Sequence, residues 1–161
     1  MRRSDDERLR EIESVYRARF HHFVRVARAI TGDRERAVEA VQEAFVGAVR
    51  ARAGFRGDGP LEAWLWRSVV NAARRATRRP PTEAFDEEAA YSPAPPVGEL
   101  APLIARLPER QRLVVFLRYY ADLDYRTIAV ALGVEVGTVS SSLSAAHSAI
   151  RESLREVWSD A

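Results

Sequence analysis

The chain is 161 residues long, 47% hydrophobic and 30% charged, which suits one domain or two small ones. Cysteine is absent, which excludes disulfides, zinc–thiolate centres and thiol catalysis. The net charge of +2 conceals a tripartite layout: residues 1–79 carry 18 Arg against 11 acids, residues 80–100 five acids and no base, residues 101–161 seven of each.

Every basic residue is Arg, a bias that carries no functional weight by itself. The histidines, His21, His22 and His147, have no metal-ligand spacing to carboxylates, so neither a metal site nor a cofactor is expected. The opening MRRSDDER is charged and lacks the apolar core of a signal peptide. No apolar run approaches the roughly 20 residues of a membrane helix. The expectation is a cytoplasmic protein without membrane insertion.

Ser4 and Glu7 have the spacing of a capping box, opening a helix with the stripe Ile12, Val15, Phe20, Phe23, Val26 and Ala27. Thr31-Gly32-Asp33 ends it, and Asp33 can cap a second helix running to about Arg52. Ala37, Val41, Ala44, Phe45 and Ala48 form the buried face of that helix. A glycine-rich turn, AGFRGDG, precedes Pro60, which starts a third helix that Pro80-Pro81 ends. On this third helix Leu61, Leu65, Ser68, Val69, Ala72 and Ala76 make a small-apolar stripe. Arg67, Asn71, Arg74 and Arg78 fall in a row on the opposite face, with Arg75 and Trp64 on its shoulder. Like charges in line repel, so the row is either a solvated face or a track for an anion.

Residues 80–101 hold five of the eight prolines and only negative charge, the composition of a linker that cannot bury enough surface to fold alone. Its 22 residues would reach about 70 Å if fully extended. Folding resumes at Pro102. Pro108 opens a helix that ends near Ala121, and Asp124 caps a short one from Tyr125 to Leu132. Gly133 turns the chain into a last helix beginning near Gly137 and running to about Val157.

The run YRTIAVALGVEVGTVSSSLSAAHSAIR has the form of a helix-turn-helix. Ile128, Ala129 and Leu132 face inward from its first helix, Val134 plugs the junction, and Val139, Leu143, Ala146 and Ile150 face inward from its second. Thr138, Ser141, Ala145 and Ser148 point outward with Ser142 and Ser144 beside them. None is charged. Hydroxyls bond to bases or phosphates with little discrimination, so this face suits either weak DNA contact or packing against protein. The fold class is all-α: a three-helix unit (1–79), an acidic Pro-rich linker (80–101) and a helix-turn-helix unit (102–161).

These motifs together resemble the compact extracytoplasmic-function (ECF) group of bacterial RNA polymerase sigma factors. Residues 16–79 are similar to region 2 and residues 103–154 to region 4. The resemblance rests on VQEAF, the WL…N…RR helix, LPERQR and LGVxxGTV in that order. It implies a sigma factor that binds core RNA polymerase and promoter DNA, with an anti-sigma factor as a further partner, and no enzyme.

By position, the resemblance places Glu39, Gln42, Glu43 and Phe45 against the polymerase clamp helices. Phe55 to Asp58, with Arg56, fall in the loop that captures a flipped base of the minus-ten element, where unstacking must be offset. Arg67, Asn71, Arg74, Arg75 and Arg78 follow the melted strand, and Trp64 offers either a stacking surface or a core ring. Arg126, Thr127, Thr138, Ser140, Ser141, Ser142 and Ser144 fall in the minus-35 reader. The chain departs from the family's habit at Glu39, where Asp is common, and at Arg75, where the family often has Asp. It also has Ser140 and Ser142 where Lys and Arg are usual.

Two other readings compete. A stand-alone helix-turn-helix regulator requires a dimer seam and a charged recognition face. A sigma-like adaptor keeps the protein contact and gives up minus-35 DNA. An enzyme lacks support, since no acid pair, nucleophile–base set or phosphate loop is visible.

Overall fold

A computed structural model describes residues 2–79 and 100–159, with side chains from Asp5 onward. The described residues form helices and connecting turns, with no strand among them. The expected linker falls mostly on residues 80–99, outside the described residues.

Helix α1 (Arg2–Thr31) begins upstream of Ser4, so Ser4 lies inside the helix and the expected capping box does not open it. Gly32, at φ 74°, ends α1 and donates its N–H to the Arg28 carbonyl at 2.8 Å. Asp33 then caps α2 (Arg34–Ala51), its carboxylate accepting the Arg36 N–H at 2.9 Å. A 3₁₀ turn (Arg52–Gly54) and a loop lead to Pro60, which is the cap and not the first residue of α3 (Leu61–Arg78).

An aromatic cluster sits among the mostly Ala and Val core of α1, α2 and α3. Phe23 lies 4.2 Å from Trp66 and 5.1 Å from Phe45, centroid to centroid, and Tyr16 meets Phe45 edge-on at 4.8 Å. Leu65, Val69 and Ala72 of the expected stripe are buried, but so are Ala63, Trp66, Val70 and Ala73. Leu61, Ser68 and Ala76 are only half-buried. The arc is wider than one stripe because α3 packs against α1, α2 and also α6.

The second unit starts with α4 (Ala101–Ala105) and α5 (Glu109–Val115), the latter capped by Pro108. The expected continuous helix to Ala121 instead widens into a π turn, Phe116–Tyr120, which the Ala121 N–H closes onto the Phe116 carbonyl at 3.1 Å. Its wider pitch stacks Phe116 and Tyr120 at 5.1 Å. Asp124 caps α6 (Tyr125–Leu132) through the Thr127 N–H at 2.7 Å. Gly133, at φ 67°, ends α6: its N–H bonds the Val130 carbonyl and the Val134 N–H bonds that of Ala129, a Schellman closure. Helix α7 (Val136–Ser159) follows, with Val139, Leu143 and Ala146 buried.

The two units touch, which composition did not foretell. Helix α6 lies on α3, and α5 with its π turn lies on α1. Arg19 donates to the Ala121 carbonyl at 3.2 Å, and the Arg25 guanidinium sits 5.0 Å from the centroid of the Tyr120 ring. Burial pushes the Tyr120 phenol up from its ordinary pKa, against the opposing pull of Arg25.

Candidate nucleic-acid and partner-binding surfaces

Between the 53–60 loop and the first turns of α3 lies a pocket of about 340 Å³, within the size range of small-ligand sites. Phe55, Arg56, Asp58, Trp64 and Arg67 line it from the first unit, and Val130 of α6 from the second. The turn depends on Gly57, whose φ of 75° disfavours any side chain. Phe55 and Trp64 are both half-buried, with centroids 5.3 Å apart, so each keeps ring surface for a planar guest. Trp66 is fully buried and belongs to the core.

The Arg row starts at this pocket. Arg67, Asn71, Arg75 and Arg78 are exposed, while Arg74 is half-buried and pairs with Glu109 of α5 at 3.0 Å. Arg75 and Arg79 both reach Glu43 of α2, at 3.7 and 3.8 Å. Among the described residues Arg67 and Arg78 have no carboxylate partner, which leaves two guanidiniums free for an anion.

On the outer side of α2, Glu39, Gln42 and Glu43 are exposed. Phe45 is not: it is 6% exposed, held between Tyr16 and Phe23. The expected direct contact with a partner is thereby corrected: the ring packs on Tyr16 and Phe23, and only its small exposed edge lines the groove between α1 and α2. An apolar groove of about 500 Å³ runs beside these residues between α1 and α2, lined chiefly by Leu9, Tyr16, Gln42, Val46 and Val49. Val46 is 50% exposed. The sequence signal that could have found it is Val46 itself, an apolar residue one turn beyond Gln42 and off the buried stripe.

On α7, Ser140, Ser141, Ser144, Ala145 and Ser148 face outward, Thr138 is half-buried, and Arg126 of α6 is exposed. Ser142 is only 8% exposed, since it sits between Val139 and Ala146 on the inward side. Thr127 is 9% exposed, and both its N–H and its hydroxyl serve Asp124. These two residues leave the expected DNA-facing set. The Thr127 backbone bond, followed by its side-chain bond, holds the Asp124 carboxyl below its ordinary pKa.

Among the described residues no cluster of three His, Asp or Glu could hold a metal ion, and no single helix is long and apolar enough to cross a membrane. An aromatic pocket adjoins the exposed Arg67 of α3, and α6 and α7 form a helix-turn-helix, a combination suited to a nucleic-acid-binding class of protein.

The family comparisons sharpen that class. Residues 15–80 match Sigma-70 region 2, and residues 98–149 match Sigma-70, region 4. The RNA polymerase sigma-H factor of Pseudomonas aeruginosa is 30% identical over 151 residues, 80% of this chain and 78% of that protein. The ECF RNA polymerase sigma-E factor of Escherichia coli is 33% identical over 134 residues, 70% of each chain. Two solved structures share the fold. CnrH in complex with the cytosolic domain of CnrY has a TM-score of 0.70 at 22% identity, covering 92% of this chain and 90% of that one. The sigma factor RpoE in complex with the anti-sigma factor NepR from Bartonella quintana has a TM-score of 0.64 at 19% identity, covering 89% and 98%. The chain therefore belongs to the Sigma-70 family, as a sigma factor of the ECF group that carries regions 2 and 4 and directs promoter recognition. The stand-alone regulator and the adaptor are not favoured.

Proposed function

We propose the following division of labour for a cytoplasmic sigma factor, with units at 1–79 and 102–161 joined through 80–101. Glu39, Gln42 and Glu43, with the apolar groove beside them, dock on core RNA polymerase. The pocket of Phe55, Arg56, Asp58 and Trp64 receives an unstacked base of the minus-ten element, and Arg67, Asn71, Arg75 and Arg78 carry the phosphates that follow. Arg126, Thr138, Ser140, Ser141 and Ser144 contact minus-35 DNA. That contact is weak alone and sufficient once polymerase raises the effective concentration. An anti-sigma factor is a further partner, in keeping with the complex described for the Bartonella quintana relative.

The observation that carries this reading is continuity: the aromatic pocket opens onto Arg67, the first guanidinium of the row. The test is the double variant Arg67→Ala, Arg78→Ala, compared with wild type by permanganate footprinting of promoter melting in holoenzyme. Its melting should fall at least tenfold while co-purification with core polymerase persists. Undiminished melting would make the row a solvated face.

A further inference from the structure

The match to region 2 begins at residue 15, yet α1 begins at Arg2, so more than three turns of helix precede the matched segment. These turns are not idle. Arg8 places its guanidinium 4.6 Å from the centroid of the Phe55 ring, in the loop that forms the pocket. One turn earlier, Asp5 pairs at 3.4 Å with Arg52, in the 3₁₀ turn that feeds the same loop. Arg52 also donates to the Val49 carbonyl at 2.6 Å, tying that turn to the end of α2.

The loop has little else to hold it. Residues 53, 54 and 56–60 are exposed, three of them are glycines, and no helix or strand spans 55–60. Phe55 is its one aromatic anchor, and its ring contacts are Trp64 and Arg8. A loop that is to receive a base gains from being held open in the receiving shape, because ordering it on binding costs affinity.

We propose that this N-terminal extension is a brace for the base-capture loop, with Arg8 as a positioning residue that orients Phe55 against Trp64. Asp5, through Arg52, fixes the root of the loop. The inference rests on the base-capture reading of Phe55 to Asp58. Arg8 acts through the Phe55 ring and not on DNA: it is half-buried, and its contact within α1 is Glu11 at 3.8 Å.

The experiment uses holoenzyme assembled from the full chain and core polymerase. The probe is the best single-stranded oligonucleotide selected by wild-type holoenzyme from a pool randomised over the minus-ten segment. Binding is measured for wild type, Arg8→Ala, Phe55→Ala and the double variant, each at several salt concentrations, with helicity checked by circular dichroism. Arg8→Ala should weaken binding about threefold, the scale of a half-exposed cation–π contact. The double variant should bind no more weakly than Phe55→Ala alone, because the brace has lost its object. The salt slope should not change. Asp5→Ala, which removes no positive charge, should weaken binding in the same direction.

Additive losses in the double variant, or no loss in Arg8→Ala while Phe55→Ala binds poorly, would overturn the brace. A salt slope lower by about 0.7 in Arg8→Ala would overturn it too, making Arg8 a direct phosphate contact. Wild-type binding by Phe55→Ala would instead remove the base-capture reading on which the brace stands.

Discussion

Arg74 of α3 and Glu109 of α5 meet at 3.0 Å across the boundary between the two units, 35 positions apart in the chain. One guanidinium of the Arg row on α3 is thus engaged by the helix-turn-helix unit. Arg67 stands at the same boundary, its Nη2 3.9 Å from where a Cβ on Gly133 would lie. If the row carries phosphates as proposed, the carboxylate of Glu109 competes with them for Arg74.

Glu109→Ala should therefore strengthen binding of single-stranded DNA by the full chain about twofold, read by fluorescence anisotropy. The pair is partly exposed, with a third of the Arg74 side chain and half of the Glu109 side chain accessible, so stability should change by no more than about 1 kcal/mol. Weaker DNA binding by this variant would show that the ion pair assists the row.

The α2 surface gives a second expectation. Gln42→Ala with Glu43→Arg should abolish co-purification with core polymerase. Glu43 also faces Arg75 and Arg79, so the reversal places three positive groups together, and circular dichroism must accompany it. Val46→Glu is the cleaner variant, because half of Val46 is already exposed and the fold should tolerate the change. It should cost at least tenfold in polymerase affinity. Full binding by both variants would remove the docking assignment.

Helix α7 separates two serines that are neighbours in sequence. Ser141→Arg projects outward and should strengthen DNA binding non-specifically, steepening the salt slope by about 0.9 for one new phosphate contact. Ser142→Arg would force a guanidinium into the packed side of α7 and should cost at least about 2 kcal/mol in unfolding free energy. Equal stability of the two variants would contradict the inward placement of Ser142.

Asp124 sets an acid limit. Its carboxyl is held below the ordinary value by bonds from Thr127, so the cap's stabilisation is fully present above the unfolded pKa of about 3.9 and is lost as pH falls through the lower folded value. Asp124→Asn keeps a capping acceptor and removes the titration, so its stability should fall less steeply than wild type over that window. Asp124→Ala should cost about 1 kcal/mol at neutral pH. Parallel acid profiles for Asn and wild type would deny the charge a part.

Local chemistry made much of this fold legible. Asp33, Gly32, Asp124 and Gly133 act at the helix ends as their side chains, or lack of one, dictate. The Arg row was legible because four polar residues at helical spacing need no tertiary knowledge. What stayed hidden depended on neighbours. Trp66 was legible as a packing residue, but the rest of the second buried side of α3, at Val70 and Ala73, could not be read from a single stripe because the helix packs on three others. Ser142 and Thr127 are small enough to be buried or exposed at little cost, and only packing decides. The π turn at Phe116–Tyr120 has no Pro or Gly to announce it. Arg8 reached Phe55 across 47 residues of sequence, a pairing with no local signal.

The central claim, that this chain confers promoter recognition on RNA polymerase, is tested most directly by run-off transcription with purified core enzyme on a library of promoter fragments. Addition of the full chain should produce transcripts from a subset of fragments that share a minus-ten and a minus-35 motif. The Arg67→Ala, Arg78→Ala variant should produce few from the same subset. An output identical to that of core enzyme alone, with the chain demonstrably bound to polymerase, would contradict the account.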